Sequence, residues 1–403
     1  MRILFITDNY PPESNAPAIR TYEHISEWSK SEDIKIKVIT CFPNFPYGKI
    51  YKGYKNKLIS KEKINGITIY RVWSYMSQNT GFFKRILDFF SFSFMAGIVG
   101  LFIEADVIIA TSPQFFTTWS AFFISKVKKI PWIFELRDLW PETIGSVSLI
   151  QNRNLLKLLE KIELFLYKDC LKVITVTNSF KRNLISRGIN KNKIEVITNG
   201  VNNNFSITIH SCQIDECLKS KLKDKFVIGY FGTHGMCQGL DFILKEIVEL
   251  ENNDLYFLFI GDGSEKQKLE KLSFDLKIKN LTFLDSVDRK NLPSYYNLID
   301  VALVSLKRHN TFKSVIPSKI FEACIMQKPI LLGLEGESRD LIEKYNAGLA
   351  FIPGDSMDFK KKINLISDNK LYSNFQKGCK LLAIDYSRNN LAKKMLNIIR
   401  KLN

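Results

Sequence analysis

A chain of 403 residues, 45% hydrophobic and 25% charged, is long for one hydrophobic core and ordinary in composition, so two globular domains are expected. The formal charge of +17 is uneven, a net +11 over residues 1–205 and +6 over 206–403. This surplus suits an anionic partner such as membrane lipid or a phosphorylated acceptor. No RNP, helix-turn-helix or zinc-finger pattern supports nucleic acid, and seven cysteines without a C-x-x-C pair point to free thiols in a reducing compartment.

Short apolar runs alternate with helical stretches from the first residue. Strands are predicted at 2–7, 36–40, 66–73, 106–112, 131–136, 172–177 and 193–200, with helices at 18–30, 115–127, 153–170 and 179–187. No leader is expected, because Met1 runs directly into the first strand. Residues 86–103, ILDFFSFSFMAGIVGLFI, read as a buried or amphipathic helix, an interfacial helix or a span. A span would put two halves of one strand–helix–strand unit on opposite sides of a membrane.

The polar stretch 202–224 reads as a linker. Strands then return at 226–232, 255–263, 281–287, 301–306, 329–334 and 348–353, with helices at 264–277, 291–297, 317–326, 338–345 and 355–366. Strands that are apolar throughout suit parallel sheets covered on both faces, and the alternation is the doubly wound α/β pattern. The expected domains are 1–205 and 206–386, with a last helix in 387–403 crossing back to the first.

In such folds ligands sit beyond the carboxyl ends of the strands, so loops that follow strands hold the candidates. The turn Gly232-Thr233-His234-Gly235-Met236-Cys237-Gln238-Gly239 follows one strand and opens a helix, where backbone N–H groups can approach an anion. Gly261-Asp262-Gly263 follows the next, and a tight connection explains it equally well. Pro317-Ser318-Lys319-Ile320-Phe321-Glu322 starts a helix after the loop 307–316. Lys319 can meet a diphosphate and Glu322, one turn on, can accept from ribose hydroxyls; on spacing alone the two read as a surface pair.

In the first half, Asn15, Ala16 and Arg20 follow strand one, and Glu135, Arg137, Asp138, Trp140, Pro141 and Glu142 follow the strand at 131–136. The four histidines are scattered, and H-E-x-x-H, a Walker A lysine, G-x-S-x-G and Asp-x-Asp are all missing, so no metal site is expected.

Taken together, ILFITDNYPPESNAPAIRTYEHI, ELRDLWPE, VITNGV, GTHGMCQGL, GDG and PSKIFEACIMQKPI resemble the family 4 retaining glycosyltransferases along the whole chain. The resemblance implies two facing Rossmann-like domains, the glycosyltransferase B fold. It implies a nucleotide-sugar donor, UDP-linked, and no further cofactor. The diphosphate would meet Lys319 and the amides around Gly235, and the ribose Glu322. The acceptor would enter near Asn15–Arg20 and Arg137-Asp138, with Asp138 joining Lys319 and Glu322 as a catalytic candidate. The family's glutamate pair is incomplete, since Ser314 stands at the first position.

Within the family the chain is similar to an O-antigen enzyme that transfers N-acetyl-L-fucosamine. That implies a lipid-diphosphate-linked saccharide acceptor and a cytoplasmic location at the inner face of the membrane. The lysine-rich segment 49–63, KIYKGYKNKLISKEK, beside the 86–103 helix could dock there, or be a solvated loop. Two rivals share the architecture: a sugar-nucleotide epimerase and a non-catalytic nucleotide-sugar binder.

Overall fold

The computed structural model describes residues 1–13, 15–45, 48–76, 82–112, 116–139, 153–202, 205, 214–250, 252 and 254–402. It divides into two compact units. The first is Met1–Thr198 with Asn389–Asn403, and the second is Asn199–Arg388.

In the first unit the strands are β1 (Arg2–Ile6), β2 (Lys35–Cys41), β3 (Ile59–Ile64), β4 (Ile67–Val72), β5 (Val107–Thr111), β6 (Trp132–Leu136), β7 (Lys172–Thr175) and β8 (Ile194–Val196). They form a sheet in the order β3-β4-β2-β1-β5-β6-β7-β8. Only the β3–β4 pair, among the described residues, runs antiparallel.

The helices of this unit are α1 (Ala16–Trp28), α2 (Phe82–Leu101), α3 (Thr117–Lys128), α4 (Arg153–Asp169) and α5 (Asn178–Ser186). Leu4 and Ile6 of β1 point into a core shared with α2, α3, α4 and α5, while Ile3 and Phe5 point to the opposite face. The period-two alternation of a strand therefore feeds two cores. The second face is covered by α1 and by the chain's last helix, Arg388–Arg400, through Ala392, Met395 and Ile399. Trp28 Nε1 donates to Ala392 O at 2.7 Å and ties these two helices together.

In the second unit the strands are β9 (Phe226–Phe231), β10 (Leu255–Ile260), β11 (Leu281–Leu284), β12 (Val301–Ser305), β13 (Ile330–Gly333) and β14 (Gly348–Phe351). All described pairs are parallel, in the order β11-β10-β9-β12-β13-β14. The helices are α6 (Glu216–Leu222), α7 (Leu240–Val248), α8 (Lys266–Asp275), α9 (Leu292–Tyr296), α10 (Lys319–Ile325), α11 (Glu337–Tyr345), α12 (Ser356–Ile366) and α13 (Asn369–Asp385). The final helix, Arg388–Arg400, is α14. Helices α7, α8 and α12 cover one face of the sheet, and α10, α11 and α13 the other.

Several sequence expectations are corrected. The second unit begins at Asn199 rather than 206, because Val201 bridges Ser387 and Phe205 packs edge-on against Tyr296 at 6.1 Å. The stretch read as a linker contains α6, whose Leu218 and Leu222 are buried in the second unit's core. The last third of the lysine-rich 49–63 segment lies in the edge strand β3, whose side chains alternate between exposed and half-buried. The helix α13 has no counterpart among the predicted elements. No described helix is long and apolar enough to cross a membrane.

Candidate functional site

The sheet order places the second unit's switch point between β9 and β12, where connections leave in opposite directions. The glycine turn follows β9, and the loop 307–316 follows β12. Lys307 N donates to Cys237 O at 2.8 Å and pins the loop to the turn.

The two glycine turns touch backbone to backbone. A Cβ on Gly261 would lie 1.9 Å from Gly232 O, and one on Gly263 would lie 2.4 Å from His234 O. Their φ values of +151° and +158° are likewise open only to glycine. Thus Gly261-Asp262-Gly263 is first a packing device for the turn above it. His234 N donates to Asp262 O at 2.9 Å and Glu265 N to His234 O at 2.9 Å, which locks the pair.

Lys319, the first residue of α10, reaches across to this turn. Its Nζ lies 3.0 Å from Tyr230 Oη, to which it donates, and 4.1 Å from the Tyr230 ring centre. Tyr230 in turn donates to Thr233 O at 2.7 Å. A Cβ on Gly232 would stand 3.0 Å from Lys319 Nζ, so the glycine leaves the ammonium its room. Desolvation lowers the Lys319 pKa to about 8, partly offset by Glu322. The result is a cation with a ring partner and a neutral hydroxyl, and with Glu322 one helical turn away.

Helix α10 begins at Lys319 with Ser318 at the N-cap position, so Pro317 precedes the helix rather than lying in its first turn. Glu322 pairs with Arg289 at 2.7 Å, and the Arg289 guanidinium lies 5.3 Å from the centre of the Phe205 ring. One carboxylate oxygen of Glu322 is thus oriented by Arg289.

Other predicted contacts are otherwise engaged. Gly232 N donates to Ile260 O, and Gly235 N to Gln238 Oε1 at 3.1 Å. With His234 N on Asp262 O, three amides of the turn are held internally, so the cation here is Lys319 rather than an amide nest. The Gln238 side chain serves the turn itself. Thr233 and Asp262 are exposed on it. The ring of His234 is buried between Tyr230, Phe259 and Phe283, with neither nitrogen hydrogen-bonded among the described residues. Burial, then the charges of Lys266 and Lys319, lower its pKa to about 4, so it is neutral at pH 7.

Ser314 closes a short 3-10 turn (Asn310–Ser314), and its Oγ donates to Thr311 O at 2.9 Å. A carboxylate does stand beside this turn. Glu335 lies 3.4 Å from Arg308 and 3.8 Å from Lys313, and a Cβ on Gly336 would meet Lys313 O at 2.2 Å. Sequence spacing cannot show Glu335 there, because it comes from the end of β13.

In the first unit, Asn15 caps α1 by accepting from Ala18 N at 3.0 Å, and Ala16 is the first helical residue. Arg20 and Glu135 are only 1% exposed. Arg20 Nε donates to Glu135 Oε1 at 3.0 Å, and its other nitrogens donate to Thr198 O at 2.6 Å and Ile197 O at 2.8 Å. The pair clamps the ends of β6 and β8 to α1, a structural role beside the acceptor-side one expected of both. Arg20 and Arg137 hold the Glu135 carboxyl below its ordinary range despite burial.

Arg137 and Asp138 lie at the carboxyl end of β6. Arg137 N donates to Ser112 Oγ at 2.9 Å, and its Nε and Nη1 are buried without a hydrogen-bond partner among the described residues. Burial and the charge of Arg20 lower the Arg137 pKa to about 10. Burial raises that of Asp138, with Arg137 opposing. Trp140, Pro141 and Glu142 lie outside the described residues.

Two acids were given no role in the sequence reading. Glu13 accepts from Asn44 N and Phe45 N, both at 2.9 Å. Asp8, at the end of β1, is 8% exposed, and burial plus the charges of Asp88 and Glu13 raise its pKa well above the carboxylate range. Their position immediately after strand one was the available signal.

Comparisons with known proteins bear on the fold and on the class of protein. Residues 216–380 match the family model described as glycosyl transferases group 1, and residues 31–205 match that described as glycosyltransferase family 4. The chain is a glycosyltransferase with two Rossmann-like α/β domains, one family model falling on each.

Among sequence relatives, WcaI of Escherichia coli K12, named as a colanic acid biosynthesis glycosyl transferase, is 24% identical over 330 residues, covering 79% of this chain and 80% of that protein. WbjE of Pseudomonas aeruginosa, named as a glycosyltransferase, is 22% identical over 245 residues, covering 60% of this chain and 61% of its own. Among solved structures, sucrose-phosphate synthase from Thermosynechococcus elongatus aligns with a TM-score of 0.75 at 14% identity, over 100% of this chain and 98% of that one. Anabaena HepE in complex with UDP and glucose aligns at 0.70 and 14%, over the whole of both chains. At such identities the structural likeness speaks to fold.

Proposed function

We propose that the protein transfers a sugar from a UDP-linked donor to a lipid-diphosphate-linked saccharide, with retention, in the synthesis of O-antigen or a related surface polysaccharide. The observation that carries this reading is the desolvated Lys319 ammonium on Tyr230, beside the Gly232 turn and one helical turn from Glu322. A cation held in a dry polar setting is suited to a diphosphate, whose negative charge grows as it leaves. Glu322, oriented by Arg289, accepts from the ribose hydroxyls. The bond from the sugar's anomeric carbon to the diphosphate breaks, and one to the acceptor hydroxyl forms. The acceptor proton passes to a diphosphate oxygen, so no further cofactor takes part. Arg137 and Asp138 serve the acceptor, the guanidinium supplying charge for its diphosphate.

The names of the relatives, HepE's UDP complexes and the polysaccharide role printed for WcaI support the substrate classes. Likeness to the O-antigen enzyme WbuB makes UDP-N-acetyl-L-fucosamine the first donor to try. The protein would act at the inner face of the cytoplasmic membrane as a peripheral protein. The test is transfer of radiolabelled sugar from a panel of UDP-sugars to lipid-linked acceptors, with an acceptor-free control for epimerised product. Transfer that vanishes in Glu322→Ala and Lys319→Ala supports the reading, and full activity in both contradicts it.

A further inference from the structure

Helices α2, α3 and α4 lie side by side on one face of the first sheet. Phe92 and Ala96, Ala121 and Ile124, and Leu166 and Tyr167 point from them into one core. Their outer sides therefore form one surface. On an ordinary globular protein that surface would be polar.

Here it is not. Leu87, Phe90, Phe94 and Ile98 recur at helical spacing along the outer side of α2, 49%, 56%, 60% and 39% exposed, and Phe102 follows at 84%. On α3, Phe123 and Val127 are exposed. Glycines let α3 approach α2: a Cβ on Gly97 would lie 3.6 Å from Phe123 Cδ1, so the Phe123 ring adjoins the α2 stripe. On α4, Leu158 and Phe165 are exposed, and Phe165 meets Phe122 of α3 edge-on at 5.4 Å. An apolar surface of this extent on a folded protein marks a contact with something else.

Its charges say what. Lys157, Lys161 and Lys168 are exposed on the same side of α4 as Leu158 and Phe165, and Lys84 and Lys129 are exposed on or beside α2 and α3, while Lys126 is taken up by Asp169. The acids nearby already have partners: Glu104 pairs with Arg2, Asp169 with Lys126 and Glu160 with Arg187. Aromatic rings interleaved with lysines are the composition that sinks into the headgroup region of an anionic bilayer. A second copy docked about a two-fold axis would set these lysines against themselves.

We propose that the outer surface of α2, α3 and α4 is the membrane-docking face, lying on an anionic bilayer with Phe90, Phe94, Phe102, Phe123 and Phe165 inserted. It rests on the proposed function only for its purpose, which is to hold the first unit where a lipid-linked acceptor resides. It also extends the docking site expected at the 49–63 segment and the 86–103 helix to α3 and α4.

The test is sedimentation of the full-length protein with phosphatidylcholine vesicles, with and without phosphatidylglycerol. The parent binds the anionic vesicles. Phe94→Ser/Phe102→Ser/Phe123→Ser loses at least tenfold in partitioning with an unchanged thermal midpoint, because all three rings are exposed. Lys157→Glu/Lys161→Glu/Lys168→Glu loses the preference for anionic lipid, about fivefold per lysine. A parent that stays in the supernatant overturns the proposal. So does a phenylalanine variant that binds like the parent, or a dimer seen by light scattering that this variant dissolves. Transfer to a short-chain soluble acceptor, measured in parallel, separates loss of docking from failure of the catalytic reading.

Discussion

Replacing Lys319 by methionine keeps much of the side chain's length and contact with the Tyr230 ring but removes the ammonium that donates to Tyr230 Oη at 3.0 Å. The lysine's fall from 10.5 to about 8 corresponds to about 3 kcal/mol of unfavourable charge burial in the free site. On the proposed reading a bound diphosphate relieves that penalty, and the fully formed negative charge of the leaving group relieves it most. Removing one such preorganised donor costs about 10²–10³ in rate. The expected outcome is a fall of that size in kcat/KM for the donor, with urea stability raised rather than lowered, because the penalty of burying the ammonium is gone. The sign with pH follows from the same group. Lysine is charged below its pKa, so kcat/KM of the parent should decline as pH rises through about 8, where free-enzyme groups are reported. The methionine variant should lack that alkaline decline. Steady-state rates with donor varied at pH 6.5 to 9.5 would check both. A variant within threefold of the parent that keeps the same alkaline limb would refute the role of Lys319.

Glu322 and Arg289 act as one unit, so Glu322→Ala should cost more than 100-fold in kcat/KM, and Arg289→Ala a smaller factor that appears mainly in donor KM. Titration calorimetry with UDP should show both losses and no loss with uridine lacking the diphosphate in Lys319→Met. The buried Arg20–Glu135 pair is assigned a role in folding. Arg20→Met should therefore lower unfolding free energy in urea by about 3–5 kcal/mol, whereas Arg20→Met combined with Glu135→Leu recovers much of it.

The architecture was legible because strands such as Ile3–Ile6 and Leu255–Ile260 are apolar at every position, a pattern that parallel sheets covered on both faces demand. The edge strand β3 escaped because its lysines alternate with few apolar residues, as an exposed antiparallel edge allows. Helix α6 was hidden by a short polar sequence whose Leu218 and Leu222 find their core only in the folded unit. At the candidate site, the juxtaposition of Lys319 and Glu322 was legible because one helix carries both. Their partners were not: Tyr230 is 89 residues from Lys319, and Arg289 comes from a separate turn. Arg20 and Glu135 show what chain position leaves out. Glu135 lies within β6 and Arg20 within α1, and only their 1% exposure reveals an internal clamp. The apolar run in α2 was visible, but the matching residues on α3 and α4 join it only through packing.

The most direct test of the central claim is proton NMR of the product formed by the purified protein from a UDP-sugar and a lipid-linked saccharide. The account predicts a new glycosidic linkage with the anomeric configuration of the donor, absent when Lys319 is methionine. A product of inverted configuration would contradict the retaining reaction. Acceptor-independent epimerisation, or neither transfer nor donor hydrolysis across the panel of UDP-sugars, would contradict the proposed transferase reaction.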